Sequence, residues 1–309
     1  MWGHVRWTRN IRVAALLATA ALGLTACGGG SDQPAAPSKG GAPIVVASFN
    51  FTDSQILAEI YAGALEAKGY PVTRKLNLGS RELVYPSLKS GELQFLPEYQ
   101  GAAITTGFGK EATKDAKAEH DQLEKLFAPE GVGLLNYAAA EDKNTYIVKA
   151  DLAKSKGIAS ISDLKKLDKV VMAGAPECEK RLPCFKGFTD VYKLTNITFQ
   201  TVQEAGPRVQ QLNSGAVTVI PVDSVSPLVG DPQYVALKDD LAIVPTENVV
   251  PAVNKKVLDE RGPDFANVVN AVSAKLTTDG MRELNKRVDA DGEPAADVAK
   301  DWLKQQGLS

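Results

Sequence analysis

The sequence predicts an α/β protein of two lobes facing each other across a cleft. Three observations carry this. Short apolar, β-branched runs alternate with capped amphipathic segments over residues 43–100, and again over 161–223. Such a β-α-β-α-β rhythm is that of a parallel sheet with crossover helices. Two further runs, "NTYIVKAD" (144–151) and "LAIVPTENVVPAV" (241–253), read as strands that take the chain across and back. The body beyond residue 42 is long enough to bury a full core, as one large domain or as two lobes. No close repeat at a fixed period suggests a solenoid.

Each element has its own signal. "PIVVAS" (43–48) reads as a buried strand. Thr52 or Asp53 can cap a helix through "SQILAEIYAGALEAKG", with Ile56, Ile60, Ala64 and Leu65 at helical spacing and Gly69 as the stop. "YPVTRKLNL" (70–78) alternates like a strand, and "SRELVYPSLKSG" reads as a short helix ending near Gly91. "ELQFLPEYQG" gives a strand and a turn, followed by a helix around Asp115–Phe127. In the second unit "ISDLKKL" is helical, "KVVMAG" (169–174) a strand, "FTDVYKLT" helical and "ITFQTV" a strand. "PRVQQLNSG" is then a helix and "VTVIPVD" (217–223) a strand. Three helices close the chain, and the last places Val298, Trp302 and Leu303 on one face for core packing.

The N-terminus addresses the compartment. Arg6, Arg9 and Arg12 precede an uncharged apolar run from Val13 to Leu24, too short for a membrane span and suited to a signal peptide. The run closes on Leu24-Thr25-Ala26-Cys27, which resembles the lipobox of bacterial lipoproteins, where the leader is cut before an acylated cysteine. The alternative is a plain secretory signal with an unrelated cysteine. Residues 1–26 are therefore expected to be the leader and 27–42 a flexible tether of Gly, Ser, Pro and Ala. Stable anchoring needs more than one acyl chain.

Outside the cytoplasm thiols face oxidising conditions. With Cys27 used for lipid, Cys178 and Cys184 in "PECEKRLPCF" read as a disulfide that stiffens the backbone carrying Lys180 and Arg181. A zinc site is the rival, but it wants four ligands, and His120 is the one histidine outside the leader. That histidine sits in a strongly charged helical stretch, and the chain has no phosphate-cradling glycine loop, so an enzyme is not expected. The formal net charge is −2 over the whole chain and more negative once the leader's arginines are removed, which argues against nucleic acid as a partner.

Several segments together resemble one family. They are "FNFTDSQILAEIYAGALEAKGY", "LGSREL…YPSLKSGELQFLPEYQG", "NTYIVKADLA", "VIPVDSVSPLV", "ENVVPAVNKKVL" and the tail from "TTDGMRELNKRV" onward. From about Pro43 to Leu308 the chain resembles the substrate-binding lipoproteins of osmoprotectant ABC transporters, the ProX-like group for glycine betaine and choline. The resemblance implies a type II periplasmic-binding-protein fold, two α/β lobes joined by two crossing strands. Lobe 1 would comprise 43–145 plus 248–309, and lobe 2 would comprise 146–247. It also implies a monomer that captures a small solute, uses no cofactor or metal, and works with an ABC permease and its ATPase at the extracytoplasmic face of the membrane.

In that family tyrosine rings cage the quaternary ammonium by cation–π attraction, and an arginine often holds the carboxylate. Carried over by position, Tyr85 and Tyr146 match cage rings, and Arg181 falls where some members keep the arginine. Two positions depart from the pattern. Asp223, ending "IPVD", and Glu247, in "VPTEN", stand where family members commonly carry tyrosines. Phe49 and Phe51, with Asn50 between them, lie near the first strand-helix turn as replacement binding surface. Each acid has a second reading: Asp223 as a helix cap before Ser224, Glu247 as solvated rim. Tyr99 reads equally as a ring under a turn or as a contact. Arg181 either meets the ligand or pairs with Asp223 or Glu247 as a latch. A carboxylate gains more from real N–H or O–H donors than from a trimethylammonium group. A hydroxylated or aromatic solute is therefore the alternative to a betaine or choline, and a sensor without a permease is the alternative to transport.

Overall fold

The structure, a computed structural model, describes residues 39–309. The expected leader, the lipobox at Cys27 and most of the expected tether lie outside the described residues. The last four tether residues do not hang free. Lys39 donates its backbone N–H to Gly69 and pairs with Asp264 at 3.1 Å, and Arg261 donates to the carbonyls of Gly40 and Ala42.

The first lobe begins with β1 (Ile44–Ala47), α1 (Thr52–Ala67), β2 (Val72–Lys75), α2 (Arg81–Ser90) and β3 (Phe95–Tyr99). A short α3 (Gln100–Ala102) runs into a π turn at Ala103–Gly107, and α4 (Ala116–Phe127) and β4 (Val132–Leu134) follow. The second lobe contains β5 (Asn144–Lys149), α5 (Ala150–Lys156), β6 (Val170–Gly174), α6 (Phe185–Asp190), β7 (Ile197–Thr201), α7 (Ala205–Ser214), β8 (Ile220–Asp223) and β9 (Tyr234–Leu237). The chain then returns through β10 (Val249–Asn254) to α8 (Lys255–Ser273), α9 (Thr278–Asp289) and α10 (Ala295–Gln306) on the first lobe.

The first sheet has the order β2-β1-β3-β10-β4, with β1 parallel to β2 and β3, and β10 antiparallel to β3 and β4. The second lobe repeats this arrangement. β7 and β6 pair in parallel, β8-β5-β9 pair antiparallel, and a Met172–Val219 bridge joins the two groups. In each lobe the antiparallel strand in fourth place, β10 or β5, is the one entered from the opposite lobe. The two connections touch where they cross: Glu141 bridges Asn248, and Asp142 donates its backbone N–H to Glu247 at 3.1 Å. This is the two-lobed, doubly connected α/β architecture expected from the alternating pattern.

Packing gives each lobe its own core. Helix α1 buries Ile56, Leu57, Ile60, Tyr61 and Leu65 completely, against Phe95, Phe265 and the expected α10 face of Val298, Trp302 and Leu303. The second lobe is built on Tyr146, Met172, Phe188 and Ile161. Each such side chain stabilises by about 1.5–3 kcal/mol relative to leaving it in water. Local departures have local causes. The cap position of α1 falls on Phe51, because Thr52 instead donates its hydroxyl to Asp289 at 2.7 Å. The helix expected at "FTDVYKLT" starts earlier, at Phe185, immediately after the disulfide loop closes, and Lys193 turns the chain with φ 56°.

Candidate ligand-binding site

A cavity of about 450 Å³ opens between the lobes beside the crossing segments. The first lobe contributes Phe51, Arg81, Tyr99 and Ala102, the crossings Asp142 and Glu247, and the second lobe Arg181 to Pro183 and Asp223. A second cavity of about 250 Å³ adjoins it on the second lobe, and Asn144, Arg181 and Asp223 line both.

Three carboxyl groups, Asp142, Asp223 and Glu247, line the main cavity beside Arg81, Lys143 and Arg181. Asp142 has its Oδ1 buried without a partner. Its pKa is pushed well up, first by burial and then by the negative charges of Asp53 and Asp223. Burial likewise raises Asp53, although the Tyr99 hydroxyl donates to it. Asp223 is exposed where the two cavities meet, and desolvation there raises its pKa against the pull of Arg208. Glu247 is pushed up to about 8 by burial, despite the Ala102 N–H at 2.7 Å and the charge of Arg81. Three acids on one cavity and Asp53 behind it, each resisting ionisation, form a site that a cation would stabilise, since Arg81 is held by Glu98 and Lys143 by Glu141.

Tyr99 of the "PEYQG" segment lines the cavity, and Glu98, Gln100 and Gly101 build the wall behind it. Glu98, fully buried, takes a bidentate pair from Arg81, with the shortest contact at 2.6 Å. The same guanidinium lies 4.8 Å from the centroid of the Phe49 ring. Tyr99 is fixed by Asp53, and its ring tilts against Phe51 at a centroid distance of 6.0 Å. Gln100 donates to the carbonyl of Ala116. Gly101 lets the return crossing approach, since a Cβ there would lie 2.5 Å from the Thr246 carbonyl oxygen. Thr246 in turn donates its hydroxyl to Glu119, whose carboxyl burial pushes to about 7.

On the opposite wall Cys178 and Cys184 are disulfide bonded, and the loop between them carries Arg181 and Leu182 into the cleft. Pro183 fixes that loop. Its carbonyl accepts the Tyr146 hydroxyl at 2.7 Å and the Asn144 side-chain N–H at 3.0 Å. The Arg181 guanidinium has no hydrogen-bond or ion-pair partner among the described residues, so the latch to Asp223 or Glu247 is not formed in this structure.

The residues singled out from the sequence therefore separate into two groups. Arg181, Asp223 and Glu247 come together on the main cavity. Tyr85, Tyr146, Phe49 and Asn50 do not line it. Tyr85 is buried behind the wall, donating to Glu98 at 2.7 Å and packing on Phe127. Tyr146 is 1% exposed and packs on Phe188, so it supports the disulfide loop from beneath. Phe49 is core and stacks under Phe51, while Asn50 is exposed. Neither second reading of the acids holds: Ser226 caps the turn after β8, and Glu247 is half-buried and hydrogen-bonded. The sequence reasoning missed Asp142 and Arg81. Asp142 sits in the "AAEDKN" stretch directly before the crossing strand, and that junction was the available signal.

Residues 42–305 match the family described as the substrate binding domain of an ABC-type glycine betaine transport system. The chain belongs to this family. Members of this glycine betaine-type family are extracytoplasmic solute-binding proteins, not enzymes, and work with a permease. Among the described residues no helix is long and apolar enough to cross a membrane. Relatives include the glycine betaine-binding protein YehZ of Escherichia coli (strain K12), 27% identical over 88% of this chain and 93% of that protein. The carnitine transport binding protein OpuCC of Listeria monocytogenes is 24% identical over 94% of each chain. The ergothioneine transport permease/binding protein EgtU of Helicobacter pylori is 26% identical over 86% of this chain and 48% of that one. Among solved structures, apo YehZ from Escherichia coli superimposes with a TM-score of 0.74 at 24% identity, covering 87% of this chain and all of that one. A glycine betaine/carnitine/choline ABC transporter protein gives 0.78 at 21% identity, covering 86% and 99%. These structures share the type II periplasmic-binding-protein fold.

Proposed function

We propose that this protein is the solute-capturing lipoprotein of an ABC importer and takes a small cationic or zwitterionic solute of the glycine betaine/choline class. The observation that carries the reading is Asp142, whose buried Oδ1 lacks a partner while Asp53 and Asp223 face it with like charge. A bound cation relieves that repulsion. Phe51 and Tyr99 offer ring faces to a quaternary ammonium, which presents no N–H of its own. Arg181 is placed to receive the carboxylate of a zwitterion. The names of the Escherichia coli and Listeria relatives support the same solute class. In this reading Cys27 carries the lipid anchor at the extracytoplasmic face, and the lobes close on solute about the crossings near 140–144 and 244–248. The closed form delivers the solute to a permease driven by its ATPase.

A second reading has one observation in its favour. Asp223 and Glu247 stand where the family resemblance leads one to expect tyrosines, and carboxylates suit a ligand with N–H or O–H donors. Such a ligand is a hydroxylated or aromatic solute.

Calorimetric titration separates the possibilities. Glycine betaine, choline and carnitine are compared with 3,3-dimethylbutanol, the neutral isostere of choline. Binding of the cations with no heat from the isostere is expected. Equal affinity for the isostere, or no binding of any cation, overturns the proposal.

A further inference from the structure

A further cavity, of about 330 Å³, is walled by both lobes and both crossings. It adjoins the main cavity, with which it shares Lys143, Asn144 and Val244. Lys114, from the segment before α4, lines it from the first lobe, and Lys238, directly after β9, lines it from the second. Its charges do not balance. Asp239 is the one carboxylate on the lining, against three lysines. That carboxylate is already engaged by the Tyr192 hydroxyl and by the backbone N–H groups of Ile243 and Val244. Glu141 holds Lys143, and the nearby Glu119 accepts the Thr246 hydroxyl. The ammonium groups of Lys114 and Lys238 have no hydrogen-bond or ion-pair partner among the described residues, and the Thr145 hydroxyl on the same lining has none either. Beside a cavity whose acids resist ionisation, this one carries unmatched positive charge.

We infer that this cavity is a separate site for a small oxyanion of the sulfate or phosphate kind. Two ammonium groups on one concave wall repel each other until an anion enters. A tetrahedral dianion offers each of them an oxygen, and the Thr145 hydroxyl can donate to a third. Because Lys114 and Lys238 belong to opposite lobes, an anion held by both ties the lobes together across the crossings. It therefore favours the interlobe angle of this structure, in which Arg181 reaches neither Asp223 nor Glu247. The anion and the cleft solute then weaken each other's binding by the same factor. This coupling rests on the closure described under the proposed function; the anion site itself does not.

Equilibrium dialysis of the full chain against radiolabelled sulfate, at constant ionic strength in sodium chloride, tests the site. Saturable uptake of one sulfate per chain is expected. Lys114→Gln and Lys238→Gln should each weaken it about tenfold, the loss of one charge-assisted hydrogen bond, and Lys186→Gln, elsewhere on the second lobe, should leave it unchanged. No saturable uptake, or uptake unaltered in the Lys114→Gln/Lys238→Gln double variant, overturns the site. Calorimetric titration of choline with and without saturating sulfate tests the coupling, and choline affinity should fall about fivefold or more. Choline affinity indifferent to bound sulfate overturns the coupling and leaves the site standing. If choline and the betaines fail to bind while sulfate still does, the functional proposal falls and the anion site remains.

Discussion

Glu247 accepts the backbone N–H of Ala102 at 2.7 Å, and so an acid of the return crossing is pinned to the first lobe while it faces the cleft. Its neighbours on both sides are tied as well: Thr246 to Glu119, and Asn248 to the carbonyl of Ala138. The return crossing is thus a fixture of the first lobe, and the charge it contributes has a defined position. Replacing Glu247 with Gln keeps an acceptor for Ala102 and removes the charge. Affinity for choline is expected to fall about tenfold, with no loss of stability at neutral pH. Titration and a thermal melt on the same sample check both parts.

The pH dependence of the unliganded protein follows from the same group. The folded pKa of Glu247, about 8, lies above its ordinary 4.5. Between those values the folded protein binds more protons than the unfolded chain. The group's contribution to stability is therefore present in full below pH 4.5 and is lost as pH rises through about 8. Asp142 and Asp53 are raised too and act in the same sense. The melting temperature of the free protein should fall from pH 5 to about 8. A saturating cationic ligand should flatten that slope, because it favours the ionised acids, and its binding should release protons. A slope that is the same with and without ligand would contradict this account.

Arg81 neutralises Glu98, which is 0% exposed, and covers the Phe49 ring. Arg81→Met keeps most of the packing but leaves a buried carboxylate unpaired. The expected cost is about 3–5 kcal/mol, read as a shift in the urea midpoint. Arg81→Met combined with Glu98→Gln should recover much of it, since the uncompensated charge is then gone.

Gly101 is required by proximity. An alanine there would place its Cβ 2.5 Å from the Thr246 carbonyl oxygen and 2.7 Å from Glu247 Oε1. The crossing must then shift, at about 1–3 kcal/mol. Because the shift moves Glu247, Gly101→Ala should weaken solute binding as well as stability. Denaturation and titration together detect the pairing of the two effects.

The disulfide acts locally. Closing so short a loop stabilises the fold by only about 2 kcal/mol. Its other effect is to hold Arg181 at the junction of the two cavities. A Cys178→Ser/Cys184→Ser variant should lose about tenfold in affinity for a zwitterion, the cost of ordering the loop on binding, while binding of choline, which lacks a carboxylate, changes less. Equal losses for the two solutes would sink this role for the loop.

The fold was largely legible because its repeating units are long and strongly patterned. Alternation from Ile44 to Tyr99 and from Ile161 to Asp223 predicts both sheets. The strands missed, Val132–Leu134 and Tyr234–Leu237, are short sheet-edge strands that offer too few residues for a period-two signal. The site was legible in part. Arg181, Asp223 and Glu247 stand out by position against a known family. Tyr85 and Tyr146 were matched by the same logic, yet whether a tyrosine faces a cavity or supports its wall depends on neighbours distant in sequence. Pro183 takes the hydroxyl of one and Glu98 that of the other. Asp142 carries no motif at all, and its importance comes from Asp53 and Asp223, which only folding brings near.

The strand exchange between halves bears on how the molecule forms. Tyr99 pairs with Val249, so the first sheet stays incomplete until nearly the whole chain is available. The second half, by contrast, contains all its own strands within one continuous segment, Asn144 to Leu237. Pairings this remote in sequence carry a large closure entropy and are slow to form. Assembly should therefore begin in the middle of the polypeptide and end by threading β10 between β3 and β4, the step that also draws the two crossings together.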